Sequence, residues 1–491
     1  MSWKEAAEPV LTRMPVVARP EGHVPFKRKL LWTAGVLGIY FFLTNITLFG
    51  LDAGGSDIFG QFRSILAGGQ GSILQVGIGP IVTASIVLQL LGGANLLGLD
   101  TDNDPRDQVL YQGLQKLLVV IVTAATAAPM VFTGNFLPAN PAVGDALGIG
   151  VSGVQLLIFA QVFVGGILIL FMDEIVSKWG VGSGVGLFII AGVSQQLIGG
   201  MISWEALGTS GFFASWYGIF FGETTLGSTF TAEWFQNLLF PPGDLLALVT
   251  TLLIFAVVVY AESVRVEIPL SHSRVRGARG RFPVKLIYAS VLPMILVRAL
   301  QANIQFLGQI IYSQMGDAMP TILGVYADGQ PVDGLFYYLA PIQARQDWMW
   351  FLGLTPSGIE PWQIGLRVAI DLTFMLIGGA IFAVFWVETT GMGPEATAKQ
   401  IQSSGMQIPG FRRNPQVVEK VMERYIPQVT VIGGALVGLL AVMANMLGTI
   451  GNVSGTGLLL TVSITYKLYE EIAEEQMMEM HPMMRQMFGN E

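Results

Sequence analysis

The chain contains no cysteine, which excludes a disulfide framework and any thiolate metal site. Charge is scarce too: Asp, Glu, Lys and Arg make up only 12% of its 491 residues, against about 25% in a soluble domain. A chain with so little charge cannot cover a water-facing surface of its own size, so most of its surface must face lipid. Catalytic signatures are missing: there is no HExxH, no Walker loop and no GxSxG. The three histidines, His23, His272 and His481, fall in the segments between or beyond the apolar runs. An intramembrane aspartyl protease needs two facing carboxylates, and the pattern sets only Asp371 at membrane depth. The expectation is a protein that is not an enzyme and uses no cofactor or metal.

What is present is apolar: hydrophobic residues make up 52% of the chain. A spanning helix needs about 20 mostly apolar residues. Hydropathy predicts ten such spans, near 30–50, 77–96, 112–133, 147–171, 184–203, 244–261, 284–311, 365–387, 428–450 and 453–469. The first 29 residues are polar, and Pro9, Pro15, Pro20 and Pro25 predict a segment without helix and without the apolar core of a signal peptide. Basic residues set the orientation. With both termini cytoplasmic, all but four of the 26 Lys and Arg fall in inside segments. The exceptions are Arg63 and Arg345 in outside loops, and Arg298 and Arg367 in or at the edge of spans. The outside stretch 204–243 has neither Lys nor Arg.

Ten spans divide into five and five, and two halves with an odd number of spans are related by an inverted repeat. Weak echoes agree. Gly182-Ser183-Gly184 opens the fifth span and Gly455-Thr456-Gly457 the tenth, while Pro80 lies in the second and Pro293 in the seventh. The expected organisation is a cytoplasmic segment 1–29, a first half 30–203 with an outside insertion at 51–76, and an outside loop 204–243. A second half 244–469 follows, with cytoplasmic loops 262–285 and 388–427, then a cytoplasmic tail 470–491. The fold class is an all-α polytopic membrane protein with ten transmembrane helices in two inverted five-helix halves.

Most midplane positions are Ile, Val, Leu, Gly or Ala. That argues against a cluster of ionisable groups for proton-coupled transport and suits an apolar constriction that gates by dewetting. A secondary transporter of a small solute is the alternative. Arg298 is expected to pair with a carboxylate or a helix-end carbonyl, and Arg367 with Asp371 one turn away. In the 51–76 segment, Ile58, Phe59, Phe62, Ile65 and Leu66 recur at helical spacing from Ser56, with Asp57 in the first turn. Such a helix, tethered by Gly68, Gly69 and Gly71, could fold into a pore mouth or lie on the bilayer. The loops 262–285 and 388–427 carry Arg265, Arg274, Arg276, Arg279, Arg281 and Lys285, and Lys399, Arg412, Arg413, Lys420 and Arg424. Arg among small residues suits RNA phosphate, and topology alone would also place basic residues here.

Five stretches resemble the SecY family, its archaeal and eukaryotic branch most closely. They are GIGPIVTASIVLQLL at 77–91, Leu170 to Gln195, AESVRVEIPLSHSRVRG at 261–277, FWVETTG at 385–391, and Arg424 to Glu471. They occur in order and reach across essentially the whole chain. The resemblance implies a ten-helix clamshell around a central pore that conducts secretory polypeptides. Hydrophobic segments would leave sideways through a lateral gate of spans two, three, seven and eight. It implies a pore ring of Ile78, Val82, Val185, Ile189, Ile295 and Leu460. It implies a plug that includes Ser56, Asp57, Ile58, Phe59, Phe62, Arg63, Ile65 and Leu66, with Thr83 and Asn303 as polar gate positions. Arg265, Arg274, Arg276, Arg279, Arg281, Arg412 and Arg413 match ribosome-docking loops. Implied partners are SecE-type and small beta/SecG-type subunits in a heterotrimer, the ribosome, and secretory and membrane polypeptides with signal sequences, all at the cell membrane.

Overall fold

Hydrocarbon offers no water to bond the backbone, so an apolar chain crosses it as helices whose amide groups are satisfied within the segment. The computed structural model describes residues 3–22, 24–52, 54–55, 60–93, 97–99, 104–134, 136–203, 211–222, 226–227, 230–272, 279–285, 292–327, 330–352, 359–403, 406–407 and 415–480. The chain opens with α1 (Trp3–Leu11) and α2 (Phe26–Asn45). The four-residue α3 (Arg63–Leu66) precedes α4 (Gly79–Gly93). Next come α5 (Pro105–Phe132), α6 (Pro141–Leu147), α7 (Gly150–Trp179) and α8 (Gly184–Ile202). Two short helices, α9 (Phe212–Phe220) and α10 (Ala232–Leu239), lead into α11 (Leu245–Ser263). A hairpin of β1 (Arg265–His272) and β2 (Arg279–Lys285) precedes α12 (Leu292–Met315). After a small hairpin, β3 (Val325–Ala327) and β4 (Gln330–Asp333), come α13 (Leu335–Tyr338) and α14 (Pro361–Thr389). The chain closes with α15 (Pro394–Ser403), β5 (Met406–Gln407), α16 (Pro415–Leu447) and α17 (Gly455–Met480).

Ten helices stand at the ten expected spans: α2, α4, α5, α7, α8, α11, α12, α14, α16 and α17. Among the described residues, seven are long and apolar enough to cross a membrane by that test alone: α5, α7, α8, α11, α12, α14 and α16. Of the other three, α4 is apolar but short. The remaining two carry charge at one end, Lys27, Arg28 and Lys29 on α2 and Lys467 to Glu475 on α17.

Several helices outrun the hydropathy. The fifth begins at Pro105 rather than 112, because Asp104 caps it by accepting the Arg106 N–H at 2.9 Å and Pro105 suits the first turn. The seventh continues to Trp179 rather than 171, held by Glu174, which accepts from Lys116 and Lys178 at 2.9 and 2.6 Å. The sixteenth starts at Pro415 rather than 428, and the last runs to Met480 rather than 469, with Glu475 bonded to Lys29.

Two expectations are corrected. The N-terminal segment is not free of helix: α1 forms with Pro9 inside it. Tertiary contact overrides the local penalty, since Lys4 bonds Asp107 at 2.8 Å, Glu8 pairs with Arg106 on α5, and Leu11 is buried. Nor is the protein wholly helical outside the membrane. The hairpin pairs Arg265 with Lys285 through Ser271 with Arg279, and β5 adds to its other edge, Ser271 opposite Gln407. The two basic loops therefore meet in one three-stranded sheet of order β2-β1-β5. Alternating Val266, Ile268 and Leu270 was the available strand signal.

Close helix crossings rest on glycine. A Cβ on Gly434 of α16 would lie 2.5 Å from the Gly379 carbonyl oxygen of α14, and one on Gly438 would lie 2.4 Å from the Met375 carbonyl oxygen. Lipid tails give helices no hydrophobic reason to associate, so such backbone approach supplies the packing. The variant Gly434→Leu should cost about 1–3 kcal/mol through overpacking. Thermal unfolding of the purified protein in detergent reads this as a lowered midpoint, and an unchanged midpoint would mean the crossing tolerates separation.

Candidate functional site

The site begins where the second span opens. Gly77 has φ +57°, and a Cβ there would lie 2.1 Å from the Leu66 carbonyl oxygen. Only glycine fits a position that is both left-handed and pressed against backbone. The Ile78 N–H then donates to that same Leu66 oxygen at 2.8 Å. This contact docks α3 against the start of α4. The Tyr40 hydroxyl donates to the Ala67 oxygen at 2.9 Å, and Ser64 Oγ lies 2.7 Å from Ser454 Oγ at the start of the last span.

The described part of the expected plug is enclosed. Phe62, Arg63, Ser64, Ile65, Leu66 and Ala67 are all buried, and α3 packs against α8, α12 and α17. Ser56, Asp57, Ile58 and Phe59 lie outside the described residues. Among the described residues, a 3-10 turn at Gly60–Phe62 leads into α3, and Ala67 ends it with φ 52°. The short element is stable because its flanks bond to neighbouring spans rather than to itself.

The six expected ring residues come together. Ile78, Ile189 and Leu460 are 0% exposed, Ile295 is 2% and Val82 is 4% exposed. These five share one apolar cluster with Ile65, and Val185 packs against it half-buried. Asp173 of α7 receives the Val185 N–H at 2.9 Å, so a carboxylate caps α8 and sets Val185 in place. The two expected gate residues also meet: Asn303 Nδ2 donates to Thr83 Oγ1 at 2.9 Å, joining α12 to α4. A small cleft beside this bond is lined by Leu66, Pro80, Thr126 and Ala299. Thus the segment 62–67, the Asn303–Thr83 bond and the apolar cluster that holds Ile78, Val82, Ile189, Ile295 and Leu460 occupy adjoining positions. The second span packs directly on α12 and α14.

Sequence reasoning mispaired one polar group. Asp371 does not bond Arg367. Its Oδ1 accepts from Arg298 Nη1 at 3.2 Å and from Gln301 Nε2 at 3.0 Å, and its Oδ2 accepts the Ile342 N–H at 3.2 Å. Arg298 and Asp371 are each 1% exposed. Arg367 instead donates to the Ala340 and Pro341 carbonyls at 3.1 and 2.8 Å and lies over the Tyr337 ring. Helical spacing pairs neighbours on one helix, but the facing helix offered Asp371 a drier and better-supported cation. Arg298 sits one turn beyond Ile295, so this network braces α12 beside the ring.

The expected docking residues divide. Arg265 is exposed and bonds Glu470 at 3.1 Å, and Glu470 also accepts from Lys285. Arg279 and Arg281 stand on β2 opposite Ser271 and Pro269. Arg274, Arg276, Arg412 and Arg413 lie outside the described residues. On the opposite face, Arg345 pairs with Asp244 at 2.8 Å. Burial raises the Asp244 carboxyl above its ordinary range, and Arg345 pulls it partly back.

These features define a multi-pass membrane protein with a short segment enclosed among its apolar helices. Comparison with known proteins gives the family. A family model described as SecY matches residues 72–469, and one described as the plug domain of Sec61p matches residues 39–71. The protein translocase subunit SecY of Haloferax volcanii is 76% identical over 493 residues, covering 100% of both chains. A solved structure described as a protein conducting channel is 38% identical, with a TM-score of 0.79, over 97% of this chain and 98% of that one. A structure of Sec61 in the canine ribosome-channel complex has the same identity and coverage, with a TM-score of 0.76. The chain belongs to the SecY family. Membership favours the channel over the small-solute transporter.

The buried pair yields a test. Removing one partner of a buried ion pair leaves an uncompensated charge and costs about 3–5 kcal/mol. Asp371→Leu should therefore lower the unfolding midpoint sharply, and Arg298→Leu combined with Asp371→Leu should restore most of it. A double variant no better than the single one would show that the two side chains are not coupled.

Proposed function

We propose that this chain is the pore-forming subunit of a protein-conducting channel, which passes secretory polypeptides and releases hydrophobic segments sideways into lipid. The observation that carries the reading is the enclosure of Phe62 to Ala67 among the helices that bear Ile78, Val82, Val185, Ile189, Ile295 and Leu460. Six aliphatic side chains make a constriction with no binding site for ions, and they yield to an entering chain without breaking hydrogen bonds. The plug seals the constriction at rest. It is displaceable because a few bonds hold it: Leu66 oxygen to Ile78, Ala67 oxygen to Tyr40, and Ser64 to Ser454.

The lateral gate is the seam of α4 and α5 against α12 and α14, closed by the Asn303–Thr83 bond. Sorting there is partitioning. A central Leu contributes about −0.5 kcal/mol to insertion and a central Lys or Asp about +3 kcal/mol. A segment with a dozen Leu-like residues therefore gains roughly 6 kcal/mol, which about two charges cancel. Opening to lipid separates membrane segments from secreted ones without reading sequence.

The two halves, 30–203 and 244–469, move apart around the loop 204–243, and both termini lie in the cytoplasm at the cell membrane. The chain works without catalysis of its own, so its driving force comes from a partner. The ribosome is that partner, docking on the sheet that unites the two basic loops, with Arg274, Arg276, Arg279, Arg281, Arg412 and Arg413 meeting RNA phosphate. Support comes from the canine relative, which was solved in a ribosome-channel complex. Subunits of the SecE type and the small beta/SecG type complete a heterotrimer.

Photo-crosslinkers at Ile78, Val82 and Ile189, in native membranes with a stalled ribosome-bound secretory chain, should form adducts that vanish when the chain is released. No adduct at any of the three would count against a polypeptide path through the ring. Replacing several ring residues with Asn or Ser should weaken the closed state and let weaker signal sequences pass in a translocation assay. Unchanged stringency would remove the ring from the gating role.

A further inference from the structure

The stretch between α8 and α11 presents an aromatic surface that neither the pore nor the gate uses. Helix α9 has no charged residue, and its residues divide by face. Gly218 is buried, and Trp216 turns inward to donate its Nε1–H to the Gly243 carbonyl at 2.9 Å. Phe213, Tyr217, Phe220 and Phe221 recur at helical spacing and are 53, 42, 78 and 69% exposed, with the Trp216 ring packed beside Phe220 at 5.7 Å. A helix in water would do the reverse. Phe230, just before α10, is 82% exposed as well.

We propose that α9 and the turn at Phe221 form an aromatic foot seated in the interfacial layer of the bilayer, with the boundary between lipid headgroups and acyl chains as its partner. Three observations select lipid as the occupant. First, the surface is continuous with lipid-facing helix: α9 packs on α8, whose exposed Ile198 and Ile202 adjoin it, and α10 packs on α11. Second, its residue types are those of the membrane interface, where a large apolar ring with a polar edge is favoured over either pure phase. Third, residues 204–243 contain no Lys or Arg. The foot is therefore held by ring burial and not by attraction to anionic headgroups, so its seating does not respond to salt.

The inference rests on membrane placement and not on the channel reading. Its failure would leave the crosslinking path through the ring untouched.

The lack of native cysteine makes the test direct. Single variants Phe220→Cys, Phe221→Cys and Phe230→Cys, in the full chain with its partner subunits in lipid nanodiscs, are labelled with a nitroxide. Collision rates with oxygen and with a water-soluble nickel chelate are then compared. Val164→Cys on α7, 52% exposed in a span, serves as the lipid reference. Glu395→Cys on α15, its side chain 70% exposed outside the spans, serves as the water reference. At Phe220 and Phe221 the ratio of oxygen to nickel collisions should shift from the water reference toward the lipid one and stay there in high salt. Three results would overturn the proposal: a ratio matching Glu395, dipolar broadening that reports a second copy against the foot, or loss of both collisions, which reports another protein's helix over it. Should Phe220→Cys fail to fold, the other two variants read the same surface.

Discussion

Irregular backbone at membrane depth must find every hydrogen bond within the protein, because hydrocarbon supplies none. The segment from Ala67 to Gly77 is such backbone, and the rest of the structure is arranged around satisfying it. The Leu66 oxygen is met by Ile78 and the Ala67 oxygen by Tyr40. Gly69 donates to the Leu74 oxygen at 3.3 Å, Gly71 to Gln75 Oε1 at 2.6 Å, and Ile73 to the Ile46 oxygen at 3.1 Å. Each partner comes from the segment itself or from the spans that flank it. Irregular backbone can therefore be enclosed among spanning helices without leaving these groups unbonded.

Helix α12 gathers the consequences. Pro293 through Ala299 are buried without interruption. One face carries Ile295 into the apolar cluster, and Arg298 reaches Asp371 on α14, while Asn303 reaches Thr83 on α4. The apolar contact and the single neutral Asn303–Thr83 bond are the weaker ties. The ion pair is stiff, since separating two charges in a dry interior is costly. Helix α12 is thus tied more strongly to α14 than to α4.

The side that carries the N-terminal segment and the β1–β2 hairpin is tied in a different way. Residues 15–18 lie across α5 and α7, where Lys116 donates to the Pro15 oxygen, Lys178 to the Val17 oxygen and Trp179 to the Ala18 oxygen. Glu475 holds Lys29, and Glu470 holds Arg265 and Lys285 at the base of the hairpin. The acidic extension of α17 thus links the N-terminal segment to the basic sheet. Surface pairs of this kind are individually weak, and their value here is positional.

Hydropathy by itself located a helix at each of the ten expected places, and seven of these meet the bilayer's demand for length and apolarity alone. The family was legible through motifs spread along the chain, and the glycine at Gly77 marks the close approach of the chain before α4 to Leu66. Helix ends were not legible from hydropathy, since α7 and α17 continue into charged sequence on the strength of ion pairs with distant residues. Nor was the partner of Asp371, which lies 73 residues away on α12 while Arg367 stands one turn off. Nor was the union of two basic loops in one sheet, since β1 and β5 are separated by four helices and three further strands. Local sequence carries the conditions that a segment meets on its own. Which charge is driest, and which strand edge is free, depends on what the fold brings alongside, and only the tertiary structure decides it.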